Sequence, residues 1–312
     1  MVTAMPKVSV IINCYNGEKY LHEAIQSVYN QTFTDWEIVF WDDASSDSSE
    51  EIAKSYDDRL KYFKGEKALS LGQARNRALE KTLGEYVAFL DQDDIWLPDK
   101  LQKQTEILDK NQDVALVYTN YFKLKPNNKK YKGYRKAQPE GDIFGSLLYY
   151  YAICISTVMV RKDALLRLDS LFDETMNLTE ETDVFMRVLY NGKASYIPEP
   201  LAIYRIHSSM NSLKYIGKYP EEAAHMVEKF KKLDPVFTDR YQNALKYYDA
   251  KLGYWRARAA IAQGSTEKAR AYLSPYKGTD YRFFILYLST YVSPRLWKII
   301  HELKDKLVFG GG

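Results

Sequence analysis

Apolar residues in the first 125 positions of the chain follow two alternating patterns. Short runs rich in Val, Ile, Phe and Trp are apolar on both faces, as in the buried strands of a parallel sheet. The segments between them repeat apolar residues every three or four positions, as in helices packed on a core. The alternation predicts a doubly wound α/β fold with a mostly parallel sheet flanked by helices. The predicted strands are "KVSVIIN" (7–13), "WEIVFW" (36–41), "LKYFKG" (60–65), "EYVAFL" (85–90) and "VALVYTNYFKL" (114–124).

The predicted helices have recognisable starts and ends. The first, "EKYLHEAIQSVYN", follows strand one, and the second is expected from about Ser48. The third, "LGQARNRALEKTLG", is expected to close at Gly84, and the fourth to start near Pro98, because proline is favoured in a first helical turn. The lysine-rich segment "KLKPNNKKYKGYRK" (123–136) has seven basic residues and no acid, and reads as a loop or hairpin.

Beyond residue 215 the chain changes character and predicts helices only, which divides it into domains of residues 1–215 and 216–312. One helix pair around Trp255 and Leu273 resembles a tetratricopeptide unit. A last helix is expected from Ser293 and Pro294, with an apolar stripe. Residues 216–312 carry 17 basic and 10 acidic side chains, a net charge of +7. The extension could contact acceptor, a second subunit or a membrane surface.

Composition favours a soluble protein. The 312 residues are 46% hydrophobic and 27% charged. The longest weakly polar run has 15 residues, whereas a membrane-spanning helix needs about 20. No N-terminal signal pattern is present. The two cysteines, Cys14 and Cys154, are expected to be free thiols in a reducing compartment, which predicts a cytoplasmic location. No nucleic-acid partner is expected.

Polar residues follow three of the predicted strands. Tyr15 and Asn16 follow the first strand, Asp42–Asp43 end the second, and "DQDD" (91–94) ends the fourth. Ligands bind beyond the carboxyl ends of parallel strands, so these residues should meet at one rim. Like charges there would repel, and an Asp-x-Asp pair can hold Mg²⁺ or Mn²⁺. The alternative is a polar turn in which an aspartate caps the next helix.

Two further features have a functional and a structural interpretation. Asp43 could accept hydrogen bonds from N–H groups of a ligand, or could belong to a turn and helix cap. Arg75 and Arg77 lie on the helix before the "DQDD" strand, where a guanidinium could bind phosphate. A solvent-exposed position explains one of these two arginines equally well.

Taken together, the segments resemble the family 2 glycosyltransferases with the GT-A fold. The resemblance rests on "VSVIINCYNGEKYLHEAIQSVYNQTFTDWEIVFWDDASSDSS", "SLGQARNRAL", "YVAFLDQDDIWLPDKL", "STVMVRKDAL" and "FDETMNLTEETDVFMRVLYNGKASYIPEPLAIYRIH", about residues 6–210. It implies inverting transfer of a sugar, a hexose or N-acetylhexosamine, from a nucleotide diphosphate sugar, usually a UDP-sugar. The acceptor would be a hydroxyl of a glycan or lipid-linked molecule.

The resemblance also implies roles for individual residues. Tyr15 would stack on the base, Asp43 would bind the base edge, and Asp91 the ribose. Asp93 would bind Mn²⁺ or Mg²⁺, and His207 would reach the metal or the diphosphate; the alternative for a lone histidine is a structural role. The remaining residues implied to bind substrate are Asn13, Arg75, Glu180 and Arg205.

The catalytic base is expected in "TEETDVFMR". The family commonly shows Glu-Asp, then Asp two residues later, then Arg; here Glu181 stands where Asp is usual. One carboxylate must deprotonate the acceptor hydroxyl. On a helix starting near Thr179, Glu180 and Asp183 share a face and Glu181 points elsewhere. Glu181 is the predicted base, and Asp183 is the alternative.

Other classes fit the sequence less well. A sugar-nucleotide pyrophosphorylase needs a Gly-rich loop after its first strand, and "NCYNGEKY" has one glycine. A receiver domain would need only about 120 residues and no "EETD" segment. A catalytically silent glycan-binding homologue would be expected to lose Asp93 or the "EETD" acids. The remaining hypotheses concern partners: reversible membrane contact through residues 281–309, and a homo-oligomer.

Overall fold

The computed structural model describes residues 5–210 and 214–291 together with Trp297. The chain forms two compact units. The first comprises residues 1–144 and 152–210, and the second comprises residues 145–151 and 211–312. The short segment 145–151 belongs with the C-terminal helices, since the Lys251 ammonium donates to the carbonyl oxygen of Tyr149 at 3.0 Å.

A nine-stranded sheet forms the first unit, in the order β3-β2-β1-β4-β8-β6-β9-β5, with β7 paired to β6. Strands β3, β2, β1 and β4 are parallel to one another, and β4 then pairs antiparallel with β8. The predicted α/β fold with flanking helices is confirmed, but the sheet is mixed rather than mostly parallel: of the strand pairings in the described residues, four are parallel and four are antiparallel. The strands are β1 (Val8–Cys14), β2 (Trp36–Asp42), β3 (Leu60–Lys64), β4 (Tyr86–Phe89), β5 (Ile95–Trp96), β6 (Val114–Leu124), β7 (Lys130–Lys132), β8 (Met159–Arg161) and β9 (Lys193–Arg205).

Helices cover both faces of this sheet. Alternate residues of β1, such as Val10 and Ile12, pack in one core cluster with Leu21 of α1 and Leu101 of α4. On the opposite face, Phe89 packs edge-on against an aromatic ring of α7. The helices of the first unit are α1 (Glu18–Tyr29), α2 (Ser49–Lys54), α3 (Leu71–Leu79), α4 (Lys100–Lys110), α6 (Lys162–Leu166) and α7 (Glu180–Tyr190), while α5 (Phe144–Tyr149) lies, apart from its first residue, in the second unit.

The third helix ends earlier than the sequence predicted. It stops at Leu79, so Gly84 does not close it. Gly84 instead lies against β1: its N–H donates to the Ser9 hydroxyl at 2.8 Å. A Cβ added to Gly84 would lie 2.5 Å from the Ser9 backbone nitrogen. The glycine is therefore needed for close approach of the backbone to β1, a role that local pattern does not reveal.

The lysine-rich segment forms a hairpin, one of the two forms predicted. Strand β7 pairs antiparallel with the end of β6, joining Leu124 to Lys130 in register. Its return leg is fixed by Tyr134, whose N–H donates to the Asn120 side chain at 2.9 Å. The Tyr134 hydroxyl donates to the Ala152 carbonyl at 2.9 Å. The hairpin is thus anchored to the sheet.

The second unit is helical, as predicted. Its core contains Ala257 and Leu273, with Phe283 and Trp297. No helix among the described residues is both long and apolar enough to cross a bilayer. The helix predicted from Ser293 lies outside the described residues. The described helices are α8 (Tyr219–Leu233), α9 (Phe237–Arg240), α10 (Gln242–Ala262), α11 (Thr266–Leu273) and α12 (Tyr281–Ser289).

Candidate active site

Two strained turns form the rim where β1 and β2 end. Asn16 and Ala44 both have positive φ, 50° and 62°, a conformation that is uncommon for residues other than glycine. The turns hold each other: the Asn16 N–H donates to the Ser45 hydroxyl at 3.0 Å, and the Ser46 N–H donates to the Asn16 side chain at 2.9 Å. Strain of this kind persists only where surrounding contacts fix it.

The predicted base-binding residues lie at this rim. Asp43 is buried and accepts the Leu69 N–H through Oδ2 at 2.8 Å, while its Oδ1 has no hydrogen-bond partner. Burial raises the pKa of Asp43. The Asn13 Nδ2 is also buried without a partner. Tyr15 is 53% exposed, so its ring is available for stacking.

The "DQDD" loop is fastened to its neighbours by residues that sequence reasoning did not assign. Gln92 accepts the Tyr15 N–H at 2.9 Å, which ties the loop to the end of β1. Asp94 is buried, and accepts the Ser156 hydroxyl at 2.6 Å and the Arg205 N–H at 2.9 Å. Burial raises the pKa of Asp94 well above its usual range. Asp94 therefore braces the loop against β9.

Asp93 and His207 meet at the end of β9. Asp93 Oδ2 lies 2.7 Å from His207 Nε2, and the other ring nitrogen lies 2.8 Å from the Ser209 hydroxyl. The two residues are 114 positions apart in sequence. The structure thus brings together the two predicted metal ligands.

Arg205 lies beside this pair and is held on several sides. Its Nε donates to the Asp93 carbonyl at 3.0 Å and its Nη2 to Glu23 at 3.0 Å. Its guanidinium stacks 4.4 Å from the centre of the Tyr20 ring. Tyr20 and Glu23 are on α1, and nothing in their helical pattern marked them as part of the site.

Arg75 gathers three of the predicted site carboxylates. Its guanidinium is 3% exposed and forms ion pairs with Glu180, with Glu181 Oε2 at 3.2 Å, and with Asp91 Oδ1 at 3.3 Å. These contacts join α3 to the first turn of α7 and to the end of β4. In this arrangement the guanidinium faces carboxylates, and a diphosphate would have to compete with them.

The surroundings of Glu181 raise the pKa of its carboxyl group. Its side chain is 24% exposed. Partial burial raises the pKa of Glu181 to about 8; Arg75 opposes the rise, and Glu180 and Asp91 add to it. A base is most effective when its pKa lies near the working pH.

Asp183, the alternative base, lies in a different environment. It is fully buried and pairs with Arg187 one turn later on α7 at 2.7 Å. Arg187 also donates to the Leu171 carbonyl at 2.5 Å. Glu180 and Asp183 are both buried on the helix, but Glu180 shares Arg75 with Glu181 whereas Asp183 pairs with Arg187, so the contacts do not separate Glu181 from Glu180 as the spacing predicted.

Comparisons with known proteins agree with this fold. Residues 9–168 match the model of the glycosyl transferase family 2. The chain belongs to this family. An uncharacterized glycosyltransferase of Methanocaldococcus jannaschii is 34% identical over 68% of this chain and 75% of its own length.

Two other matches are a protein named for transfer from UDP-Glc and a protein whose structure contains UDP-GlcNAc. WfgD of Escherichia coli, named a UDP-Glc:α-D-GlcNAc-diphosphoundecaprenol β-1,3-glucosyltransferase, is 35% identical over 49% of this chain and 60% of its own length. The crystal structure of residues 1–349 of S. aureus TarS with UDP-GlcNAc superposes with a TM-score of 0.71, at 18% identity, over 96% of this chain and 92% of that one. This likeness shows that the fold is the GT-A fold.

Proposed function

We propose that this glycosyltransferase moves a hexose or N-acetylhexosamine from a UDP-sugar to a hydroxyl of a glycan or lipid-linked acceptor, with inversion at the anomeric carbon. The observation that carries the proposal is the Glu181 carboxyl, held by Arg75 beside Asp91 with its pKa raised to about 8. A proton acceptor of this kind suits direct displacement, in which one carboxylate takes the proton of the attacking hydroxyl.

The rim of β1 and β2 suits the nucleotide. The unpartnered Asp43 Oδ1 can accept the N–H of a uracil edge, and the exposed Tyr15 ring can stack on the base. The buried Asn13 Nδ2 offers a donor to a uracil carbonyl. Asp91 would bind the ribose hydroxyls. Each buried polar atom without a partner costs free energy until a ligand satisfies it.

Asp93 and His207 fit a divalent cation. Two ligand atoms of an octahedral Mg²⁺ or Mn²⁺ site lie about 3 Å apart when each bond is about 2.1 Å, and Asp93 Oδ2 and His207 Nε2 are 2.7 Å apart. The carboxylate suits Mg²⁺ or Mn²⁺, and a neutral imidazole is a common metal ligand. The metal would supply Lewis-acid stabilisation of the leaving diphosphate.

In the proposed step the acceptor oxygen forms a bond to the anomeric carbon while the bond from that carbon to the diphosphate oxygen breaks. The proton of the hydroxyl passes to Glu181, and the bonding electrons leave with UDP. Arg75 positions Glu181 and keeps the neighbouring acids from repelling each other. A lipid-linked acceptor agrees with the activity for which WfgD is named and would place the enzyme at the cytoplasmic face of a membrane.

The test is release of UDP from a panel of UDP-hexoses and UDP-N-acetylhexosamines, with and without Mn²⁺. We expect turnover that requires the metal and falls at least about 100-fold in Asp93→Asn, because a metal clamp contributes several kcal/mol. Asp99→Asn is the matched control, since Asp99 lies at the start of α4 and bonds to Thr32. The metal site would be contradicted if the rate of UDP release were the same without Mn²⁺ and in Asp93→Asn as in the wild type with Mn²⁺. No release from any sugar nucleotide would favour the silent glycan-binding homologue.

A further inference from the structure

One aromatic ring of helix α1 packs against two residues at the proposed metal site, the pair Asp93 and His207. The Tyr20 ring lies 5.2 Å from the His207 ring, centre to centre, with an angle of 43° between their planes. The Arg205 guanidinium lies 4.4 Å from the centre of the same Tyr20 ring. Both partners of Tyr20 contact Asp93, His207 at its carboxylate and Arg205 at its carbonyl oxygen. Tyr20 therefore touches one proposed metal ligand directly and the other through Arg205.

Helix α1 is a firm support for this ring. Its buried face, which includes Leu21, packs in the core beneath the sheet. The Ser27 hydroxyl of α1 accepts the Trp96 N–H at 3.0 Å, and the side chain of Gln31, just after the helix, accepts the Leu101 N–H at 3.0 Å. Trp96 and Leu101 are in the segment that follows the "DQDD" loop. Hydrogen bonds therefore fix the helix to the chain segment that continues from the aspartates.

The same helix holds the charge of Arg205 in place. Tyr20 and Glu23 are three positions apart and share a face of α1. A guanidinium stacks readily on an aromatic ring because it is planar, and Glu23 accepts from its Nη2 at 3.0 Å. Arg205 Nε donates to the main chain of Asp93, while Oδ2 of the Asp93 carboxylate lies 2.7 Å from His207. A guanidinium released from α1 could pair with that carboxylate and would then compete with a cation.

His207 needs a fixed orientation to serve as a ligand. A neutral imidazole binds a metal through one ring nitrogen, and the bond made by the other nitrogen sets which one is available. Nδ1 of His207 lies 2.8 Å from the Ser209 hydroxyl, which leaves Nε2 directed at Asp93. His207 lies beyond the end of β9 at Arg205, so the sheet ladder does not hold its ring. Contacts to outer residues orient metal-binding histidines, and the Tyr20 ring makes such a contact.

Tyr29 on the same helix shows what distinguishes Tyr20. The Tyr29 ring also packs on a guanidinium, that of Arg59 at 4.6 Å, and on a second ring, that of Trp36 at 5.0 Å. Arg59 is paired with Asp57 at 2.9 Å. None of these four residues is a predicted site residue. A ring of α1 beside an arginine is therefore ordinary packing, and the difference is that both partners of Tyr20 touch the proposed metal site.

We propose that Tyr20 is a positioning residue of the metal site. Its ring holds His207 and Arg205 so that Nε2 of His207 and the carboxylate of Asp93 face one divalent cation together. The inference rests on the proposed function for the presence of that cation. Tyr20 itself contacts neither the cation nor the reacting atoms. The ring is required and the hydroxyl is not, because both contacts are made to the ring.

The affinity of the full-length, nucleotide-free protein for Mn²⁺ tests this role, with free Mn²⁺ measured by its electron paramagnetic resonance signal. We expect Tyr20→Leu to weaken binding at least about tenfold, as the loss of an outer contact of a metal ligand typically does. Tyr20→Phe should stay within about twofold of the wild type, because the ring is kept. Tyr29→Leu, the matched control, should also stay within about twofold, since distant sites act independently.

Two results of this experiment would overturn the proposal. Equal weakening in Tyr20→Leu and Tyr29→Leu would indicate a general loss of structure, which urea unfolding of both variants measures separately. Equal weakening in Tyr20→Phe and Tyr20→Leu would assign the effect to the hydroxyl. Tyr20→Met is a second variant without a ring, to be used if Tyr20→Leu does not fold.

A double-mutant cycle tests whether Tyr20 acts through His207. We expect His207→Ala to weaken Mn²⁺ binding at least about tenfold, because a ligand is removed. In the His207→Ala background the effect of Tyr20→Leu should be at least about threefold smaller than in the wild type, since residues that act through one contact are not additive. Fully additive losses would overturn the proposal.

The same measurements separate this proposal from the proposed function. If the wild type binds no Mn²⁺, or His207→Ala binds it as tightly as the wild type, the proposed metal pair fails and the role of Tyr20 fails with it. If His207→Ala weakens binding and Tyr20→Leu does not, only the role of Tyr20 is overturned. A failure to release UDP from any sugar nucleotide would contradict the transferase and would leave the Mn²⁺ affinities to decide the role of Tyr20.

Discussion

Glu181 and Asp183 lie two positions apart on α7, yet their surroundings give them different chemistry. Glu181 faces Arg75 and two other carboxyl groups and is partly exposed. Asp183 is enclosed and paired with Arg187. A carboxylate committed to a buried ion pair cannot easily take a proton from a substrate. At the residue scale, the prediction of Glu181 as the base therefore rests on its partial exposure and on the enclosure of Asp183.

Exchanging each acid for its amide tests this choice. We expect Glu181→Gln to keep UDP affinity and to lower the transfer rate at least about 100-fold. Asp183→Asn, the matched control, should keep most activity but lower the free energy of unfolding by about 2 kcal/mol, because its partner loses a charged acceptor. Rates come from single-turnover transfer, and stabilities from urea unfolding. Normal turnover in Glu181→Gln together with an inactive Asp183→Asn would move the base two residues along α7.

The raised pKa of Glu181 also predicts a pH profile. The base must be ionised to accept a proton, so kcat/KM should rise about tenfold per pH unit below its pKa of about 8 and level off above it. The free energy of unfolding should change with pH in the opposite direction. Because the pKa of Glu181 in the folded state exceeds the ordinary 4.5, the contribution of Glu181 to the free energy of unfolding falls as pH rises from 4.5 to about 8. Initial rates between pH 5.5 and 9.5 measure the profile. A flat profile would exclude Glu181 as the titrating base.

At the scale of elements, the active site depends on the contact of α3 with the first turn of α7. Each helix presents its own charge: α3 contributes Arg75, and α7 begins with Glu180 and Glu181. The acids favour the positive end of the helix dipole, but three neighbouring carboxylates would repel without a cation. Arg75 thus ties the first turn of α7, with Glu180 and Glu181, to α3.

Replacing Arg75 with leucine should therefore reduce stability as well as activity. We expect a loss of about 3–5 kcal/mol in the free energy of unfolding at pH 8, because buried acids lose their partner. The loss should shrink at pH 5, where the carboxyl groups can be protonated and neutral. Arg77→Leu on the same helix is the control and should cost under about 0.5 kcal/mol, since its pair with Glu80 is exposed. The free energies of unfolding are measured in urea at both pH values. Equal losses in the two variants would refute the role of Arg75 in holding the carboxylates together.

At the scale of the whole molecule, the second unit presents an apolar stripe of unusual exposure. On α12, Tyr281, Phe284, Ile285 and Leu288 recur at helical spacing and are 46–73% exposed. The opposite face of α12 packs into the helical core through Phe283. Apolar side chains gathered on one surface, in a region with net charge +7, suit reversible contact with anionic lipid.

Vesicle co-sedimentation tests this membrane prediction. We expect Phe284→Glu/Leu288→Glu to lower partitioning onto phosphatidylglycerol vesicles about tenfold, because two apolar side chains no longer enter the lipid interface. Leu233→Glu/Val236→Glu is the control: both residues are 50% exposed in the same unit and the charge change is equal. Equal partitioning of the two double variants at low salt would reject α12 as the contact.

The sequence by itself determined the alternation of strands and helices, the parallel start of the sheet and the polar strand ends. These follow from local patterns: runs apolar on both faces predict central strands, and the carboxyl ends of parallel strands must share a rim. Tyr15, Asp43 and Asp91 could be placed at that rim from their positions alone. The acidic first turn of α7 and the position of Glu181 apart from Asp183 were also readable, because helical spacing is local.

Only the tertiary structure decided how the charges pair and where the non-local elements lie. Strand β8 has three residues and inserts antiparallel between β4 and β6, and no periodicity predicts so short a strand. Arg75 meets Glu180 across 105 positions, and His207 meets Asp93 across 114. The sequence offered phosphate as a partner for Arg75 and a helix cap for an aspartate of "DQDD"; the structure adds the three carboxylates that Arg75 contacts and the Ser156 and Arg205 donors of Asp94. Pairing across such separations depends on how packed elements bring side chains together, and local sequence patterns do not predict it.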